Sequence, residues 1–398
     1  MHAIAFRSAP LHALAGAACL LACAAPAHAA GAKPWPPQVP VAGATLAATG
    51  DFNWDLADSR APGDARFGQD HGWRRREFGA TLKKPGVYDA MVYFDFESRR
   101  WLDVFLRVET KALLGRDLGR VRVGHIKVPV GFEAVTSARA GSFVELAAPV
   151  QAIYQGRRTG VEWTLERPAY LLQAAGYAGT DLQGDNPGRT LAARAAWTPR
   201  KAAGDVLHLG LSASRESPDG WTDGRGVAFR PTARFRARPG SALSDVRLVD
   251  SGNLAPVDRV ARTGLEALWI HGAFSLQGEA LRADVARGDG LADYRAQGAY
   301  LAASWIATGE SRPYTNGNVG NPKPASKAGA LELVARVAML DLRDGGIDGG
   351  RQDEWAVGAN WYLTPYFKLQ ADYVGVQATR AGRTTRPDTV ELRAQLHF

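Results

Sequence analysis

From residue 45 to the C-terminus the chain alternates apolar and polar residues, in segments of about ten separated by Gly, Asp, Pro and Asn. Tyr88, Ala90, Val92, Phe94 and Phe96 share one face of such a segment, and Asp89, Tyr93, Asp95 and Glu97 the other. Leu102, Val104, Leu106 and Val108 alternate in the same way with Asp103, Arg107 and Glu109. Successive side chains of a strand point to opposite faces, so each segment has one apolar and one polar wall. A long series of such segments is satisfied when the apolar wall meets lipid and the polar wall meets a wet lumen. Closing the sheet then pairs every backbone N–H and C=O. The expected fold is therefore all-β, a transmembrane antiparallel β-barrel over residues 43–398. A soluble β-sandwich is the rival, but it typically needs far fewer strands.

The last segment is the clearest. Val390, Leu392, Ala394, Leu396 and Phe398 face one way, and Glu391, Arg393, Gln395 and His397 the other. An alternating strand that ends in an aromatic residue is similar to the terminal signal of bacterial outer-membrane barrels. The chain divides into 15 or 16 segments, depending on how 263–287 is split; single-chain bacterial barrels prefer even numbers, so 16 is expected. Leu363-Thr364-Pro365-Tyr366 reads as a short periplasmic turn, and Asp341 to Glu354 and Ser311 to Lys327 as external loops. From Pro129 to Arg158 the alternation fails. A loop folded into the lumen and an ordinary external loop fit that pattern equally well.

The N-terminus sets the compartment. Arg7 precedes a short apolar run, Leu11 to Ala25, and Ala27-His28-Ala29 has the small-x-small form of a signal peptidase site. That run falls short of the ~20 residues a membrane helix needs. Residues 1–29 are read as a cleaved signal peptide, and 30–42, rich in Pro and Ala, as a linker. Leu20-Leu21-Ala22-Cys23 offers a weaker lipoprotein box. Both cysteines, Cys19 and Cys23, lie in the leader, so the exported chain has no disulfide, thiolate metal site or cysteine nucleophile. The expected address is the outer membrane of a Gram-negative bacterium.

Enzyme signals are weak. The histidines outside the leader (His71, His125, His208, His271 and His397) are scattered and lack metal-ligand spacing. There is no G-x-S-x-G elbow, P-loop or dinucleotide fingerprint. Asp341 to Asp348 reads as a solvated Gly/Asp turn ahead of a calcium loop. Neither catalysis, nor a cofactor, nor a metal, nor a nucleic-acid partner is expected.

The chain carries 48 basic against 40 acidic residues. A GC-rich genome explains an arginine excess as readily as an anion-handling surface does, so position decides. In Phe229 to Arg238 the even positions hold Arg230, Thr232, Arg234, Arg236 and Arg238, and the odd positions Phe229, Pro231, Ala233, Phe235 and Ala237. On a strand all four arginines would share one face, about 6.6 Å per step. A single arginine facing lipid at mid-membrane costs about 2–4 kcal/mol, so that face is expected to look into the lumen or above the membrane. Guanidinium groups keep their charge and offer forked donors that fit phosphate oxygens. A ladder of them could pass an anion stepwise; the plainer reading pairs them with lumenal carboxylates. Lys127, Arg139, Arg157 and Arg158, with Thr136 and Ser137, flank or occupy the irregular stretch. Arg74-Arg75-Arg76 cannot all face one way, and at least one is expected at a rim.

Three further stretches carry a family resemblance. They are Gly124-His125-Ile126-Lys127-Val128-Pro129-Val130-Gly131-Phe132-Glu133 with Thr136-Ser137; Ser304-Trp305-Ile306-Ala307-Thr308-Gly309-Glu310-Ser311-Arg312 with Tyr314; and Gly358-Ala359-Asn360-Trp361-Tyr362-Leu363-Thr364-Pro365 with Asp372-Tyr373-Val374. In this order the chain resembles the phosphate-selective porin O and P family from about residue 120 onward. The resemblance implies a 16-stranded trimeric barrel, an inward-folded third loop and a lumenal arginine ladder feeding a narrow anion site. By position, Arg230, Arg234, Arg236 and Arg238 correspond to the ladder, and Lys127, Thr136, Ser137 and Arg139 to the constriction. Glu145 departs from the pattern, being followed by Leu146 rather than arginine, and the segment before residue 120 matches poorly.

The expected function is passive diffusion of phosphate or related oxyanions through an outer-membrane homotrimer. The alternatives are a general pore, with lumenal arginines balanced by Asp89, Asp95, Asp103 and Glu109, and an occluded surface binding or structural barrel.

Overall fold

The computed structural model describes residues 35–398; the expected signal peptide lies outside the described residues. Sixteen antiparallel strands close into a barrel. In chain order they are β1 (Ala44–Arg60), β2 (Gln69–Lys84), β3 (Tyr88–Asp95), β4 (Arg100–Glu109), β5 (Arg120–Lys127), β6 (Arg157–Glu166), β7 (Tyr170–Ala178) and β8 (Gly188–Ala202). They continue as β9 (Asp205–Pro218), β10 (Val257–His271), β11 (Phe274–Arg287), β12 (Tyr294–Ile306), β13 (Ala330–Asp344), β14 (Ile347–Tyr362), β15 (Phe367–Arg380) and β16 (Asp388–His397). The ambiguous stretch 263–287 splits at Gly272-Ala273 into β10 and β11.

β16 closes the barrel against β1, in register from Asp51↔His397 to Arg60↔Asp388. Opposite each other across this seam, Arg393 and Asp55 form a buried two-pronged ion pair, at 2.7 and 2.6 Å. Gln395 donates to Asp51 beside it at 2.9 Å. Gly50 and Phe398 exchange backbone hydrogen bonds, which ties down the terminal aromatic residue. In the expected linker, Gln38–Val41 is a short strand paired with Ala44–Ala47; Val39 and Val41 supply its β-branched character.

The outer wall is apolar. Leu191, Leu211, Leu265, Leu301 and Val337 are exposed along it. Trp197, Trp269, Phe274, Trp305 and Trp361 gird the barrel end that carries the termini, as expected of an interfacial aromatic belt. At that end the connections are mostly tight, Leu363-Thr364-Pro365-Tyr366 among them.

Two expected external loops are corrected here. Ser311 to Lys327 lies in the 307–329 connection, on the terminus-bearing end with the short turns. Asp341 to Glu354 is at the opposite end but is mostly strand; β13 and β14 turn there through Gly345 and Gly346, at φ 59° and 80°, the left-handed pair a two-residue hairpin requires.

The lumen is partly filled. Residues 128–156 leave the wall after β5 and fold inward, with short helices at Phe132–Val135 and Ala148–Ile153. The second helix buries Ala148, Val150, Ala152 and Ile153 against Leu281, Ala283, Val285, Ala296 and Leu340. Gly298 makes room for Pro149, since a Cβ there would come within 2.7 Å of it. On β11, β12, β13 and β15 the inner face away from the termini is therefore apolar, because it packs on protein rather than water. The alternation there is inverted, with charged residues such as Arg282, Asp284 and Arg295 facing out.

Candidate lumenal anion site

A buried loop must find partners for its backbone polar groups, and the inner wall supplies them. Lys368 donates to the carbonyls of Arg139 and Gly141 at 3.1 and 2.9 Å, Asn360 to that of Ser142 at 2.7 Å and Arg393 to that of Val144 at 2.6 Å. Arg336 donates to the Glu145 carbonyl at 2.9 Å, and Asp372 accepts from the Val144 amide at 2.7 Å. Glu279 accepts from the amides of Phe132 and Glu133, the free donors at that helix's N-terminus. The loop is thus clamped onto β11–β16, and the open part of the lumen lies between it and β1–β7.

That opening is a cavity of about 560 Å³. Eight cations line it (Arg74, Arg75, Arg122, Lys127, Arg139, Arg157, Arg194 and Arg393), against six carboxylates (Asp51, Glu77, Asp103, Glu133, Glu145 and Glu162). Most pair locally: Arg74 with Glu145 at 3.1 Å, Arg75 with Glu77 at 2.6 Å, Arg122 with Glu162 and Arg157 with Asp103 at 2.8 Å each. Lys127 and Arg139 have no carboxylate partner among the described residues. Lys127 donates to the carbonyls of Ala134 and Thr136 at 2.9 and 2.8 Å. Arg139 crosses to the far wall and donates to Thr49, Tyr93 and the Phe398 carbonyl. Two basic side chains held by neutral oxygens, with no carboxylate in contact, thus stand beside the opening. Burial opposes the charge on Glu145, yet Arg74 and Arg393 hold its carboxyl below the usual range.

The expected constriction residues divide. Lys127, Thr136, Ser137, Arg139 and Arg157 line the cavity. The Thr136 hydroxyl is engaged, donating to Phe132 O at 2.8 Å. Arg158 does not line the cavity; it is buried against the end of the infolded segment, donating to the Gln155 carbonyl and pairing with Glu216 at 2.9 Å.

The arginine cluster is corrected in position. Arg230, Arg234, Arg236 and Arg238 lie not on a barrel strand but on the 219–256 connection at the mouth opposite the termini. Pro231 and Pro239 bracket Arg234, Arg236 and Arg238 and cannot donate to a sheet ladder. The alternation survives for another reason. Phe235 and Ala237 are buried in the core around Ala148–Ile153, leaving Arg234 and Arg236 exposed. Arg230 pairs with Asp289, and Arg234 grips Asp250 with two nitrogens. Arg236, Arg238 and Arg247 have no ion-pair partner among the described residues. Burial and the nearby Arg238 and Arg236 push Arg247 down to about 10. Burial likewise lowers Arg238, with Arg74 and Arg236 adding to it and Glu145 opposing. Arg238 and Arg247 stay cationic at neutral pH, and Arg238 lies close enough to Arg74 for the two charges to act on each other.

Two features were missed in the sequence. A β-bulge lies between Asn53↔Arg75 and Trp54↔Trp73 and leaves Arg74 unpaired in the ladder. Arg74 and Arg75 therefore both face the lumen, while Arg76 turns outward to Glu97 at 2.7 Å; re-aiming a side chain is what bulges do. Connection 307–329 also folds inward, from the terminus-bearing end. Its Tyr314–Thr315 and Asn318–Val319 hairpin turns through Asn316-Gly317, a pair that signals such turns. Arg120 donates to Asn316 at 2.7 Å and Arg194 to the Gly317 carbonyl at 2.9 Å.

Comparison with known proteins agrees with this architecture. The family model described as "Phosphate-selective porin O and P" matches residues 46–398. A protein of Caulobacter vibrioides is 29% identical over 304 residues, which is 70% of this chain and 59% of that protein. Porin O of Pseudomonas aeruginosa is 29% identical over 268 residues, 60% of this chain and 59% of that one. The chain thus spans about three fifths of the length of the curated relatives it matches. Among solved structures, OmpT of Vibrio cholerae superposes with a TM-score of 0.57 at 9% identity, covering 91% of this chain and 100% of that one. That likeness bears on the fold alone. With the family model matched across the whole barrel, the chain belongs to the phosphate-selective porin O and P family of outer-membrane channels.

Proposed function

We propose that this porin is a passive, homotrimeric channel that prefers anions and admits phosphate or related oxyanions. The observation that carries the proposal is the excess of cations at the cavity, with Lys127 and Arg139 free of any carboxylate partner among the described residues. Arg236, Arg238 and Arg247 extend the positive field to the mouth, so the ladder runs down from mouth to cavity rather than along one strand. An arriving anion is drawn in by the focused potential. It then exchanges water for guanidinium and ammonium donors in steps, held well enough to enter and weakly enough to leave.

The six carboxylates that line the same cavity favour a second reading, a general diffusion pore with balanced charge. Titrating phosphate against a steady chloride current through purified protein in a planar bilayer separates the two. Block that saturates at low phosphate supports an internal oxyanion site. A current that declines only in proportion to chloride dilution leaves the general pore.

A further inference from the structure

The outer wall carries a second cationic feature that the pore does not use. On β8 to β12, outward-facing Arg189, Arg215, Arg259, Arg282 and Arg295 replace the apolar residues at the strand ends away from the termini, and all five are exposed. Arg189, Arg259, Arg282 and Arg295 stand eight to ten residues along their strands from Trp197, Trp269, Phe274 and Trp305. At ~3.3 Å per residue and a tilt of roughly 40°, that is about 20–25 Å of height, close to the ~25 Å apolar band of an outer-membrane barrel. The arginines therefore begin where the hydrocarbon ends. Arg215, Ala261, Asp284 and Arg295 are successive cross-strand partners in one row, about 15 Å wide at ~4.8 Å per strand. Arg295 in this row and Arg282, two residues along β11, share the single carboxylate of Asp284, at 3.0 and 2.6 Å. Arg189, Arg215 and Arg259 have no ion-pair partner among the described residues. On the other side of the barrel Arg60, Arg76 and Arg100 each hold a carboxylate, Asp58, Glu97 and Asp185. Arg189, Arg215 and Arg259 thus leave uncompensated charge on this flank, at headgroup height.

We infer that this flank binds the phosphate groups of a phosphorylated glycolipid in the outer leaflet, with the acyl chains lying along Leu211, Leu265 and Leu301 below. Forked guanidinium donors match phosphate oxygens, and the row is wide enough for more than one phosphate.

The test is native mass spectrometry of the purified, folded barrel incubated with diphosphoryl lipid A, with fully dephosphorylated lipid A, or with diphosphoryl lipid A plus millimolar inorganic phosphate. At least tenfold greater retention of the diphosphoryl form, undiminished by inorganic phosphate, is expected. Arg215→Ala/Arg282→Ala/Arg295→Ala should abolish that preference, while Arg60→Ala/Arg76→Ala/Arg100→Ala keeps it. Arg215→Ala alone breaks no ion pair, so it should fold and weaken retention even if the triple variant does not. Unchanged retention in the flank variants, equal loss in the control triple, or displacement by inorganic phosphate would overturn the inference. Chloride conductance and its block by phosphate should stay as in the parent, so this result and that on the pore stand apart.

Discussion

The guanidinium of Arg139, on the infolded loop, lies 2.8 Å from the hydroxyl of Tyr93 on β3, with its central carbon 5.4 Å from the middle of the ring. This contact bridges the lumen from loop to wall and holds a cation beside the opening. Replacing Arg139 with alanine removes both the strut and the charge. Single-channel conductance in 1 M KCl is expected to rise. Phosphate block should weaken about tenfold, the worth of roughly one charge-assisted hydrogen bond. Tyr93→Phe should leave the block nearly intact, because Thr49 and the Phe398 carbonyl still hold Arg139.

Arg393 joins the barrel seam to the loop, through Asp55 on one side and the Val144 carbonyl on the other. Arg393→Met leaves Asp55 buried without its partner, a change that typically costs about 3–5 kcal/mol. The thermal transition in detergent should fall, and single-channel records should show added gating noise. Substituting Asp55→Asn as well should recover part of the stability.

The mouth arginines act at a distance. Arg236→Glu/Arg238→Glu/Arg247→Glu should lower chloride conductance severalfold in 10 mM KCl and hardly at all in 1 M KCl, where screening shortens the field to about 3 Å. Arg230→Glu and Arg234→Glu, whose side chains already hold Asp289 and Asp250, should change conductance less.

Much of the barrel was legible because alternation, turn residues and a terminal aromatic all act locally. What filled the lumen was not. Phe235 and Ala237 alternate with arginines as a strand would, yet pack on Val150 and Ile153, a contact made between distant segments. Arg74 reaches the pore because of a one-residue bulge, which period-two reading cannot place. Asn316-Gly317 marked a turn, but nothing near it said that the turn enters the lumen.

The Glu145 carboxyl gives a pH signature. Its affinity for protons is depressed in the folded chain by Arg74 and Arg393, so the stabilisation it adds is complete above its ordinary value of 4.5. That contribution is lost as pH falls through the lower folded value. The part of the loop's hold that Glu145 supplies should therefore be steady from pH 7 to 5 and fall away only in stronger acid, seen as added conductance noise there. Glu145→Gln should be noisy at every pH.

Reversal potential across a tenfold KCl gradient tests the central claim most directly. A zero-current potential of the sign set by chloride, reduced in Arg139→Ala, is the expected result. A potential near zero, or one of the sign set by potassium, would contradict the account.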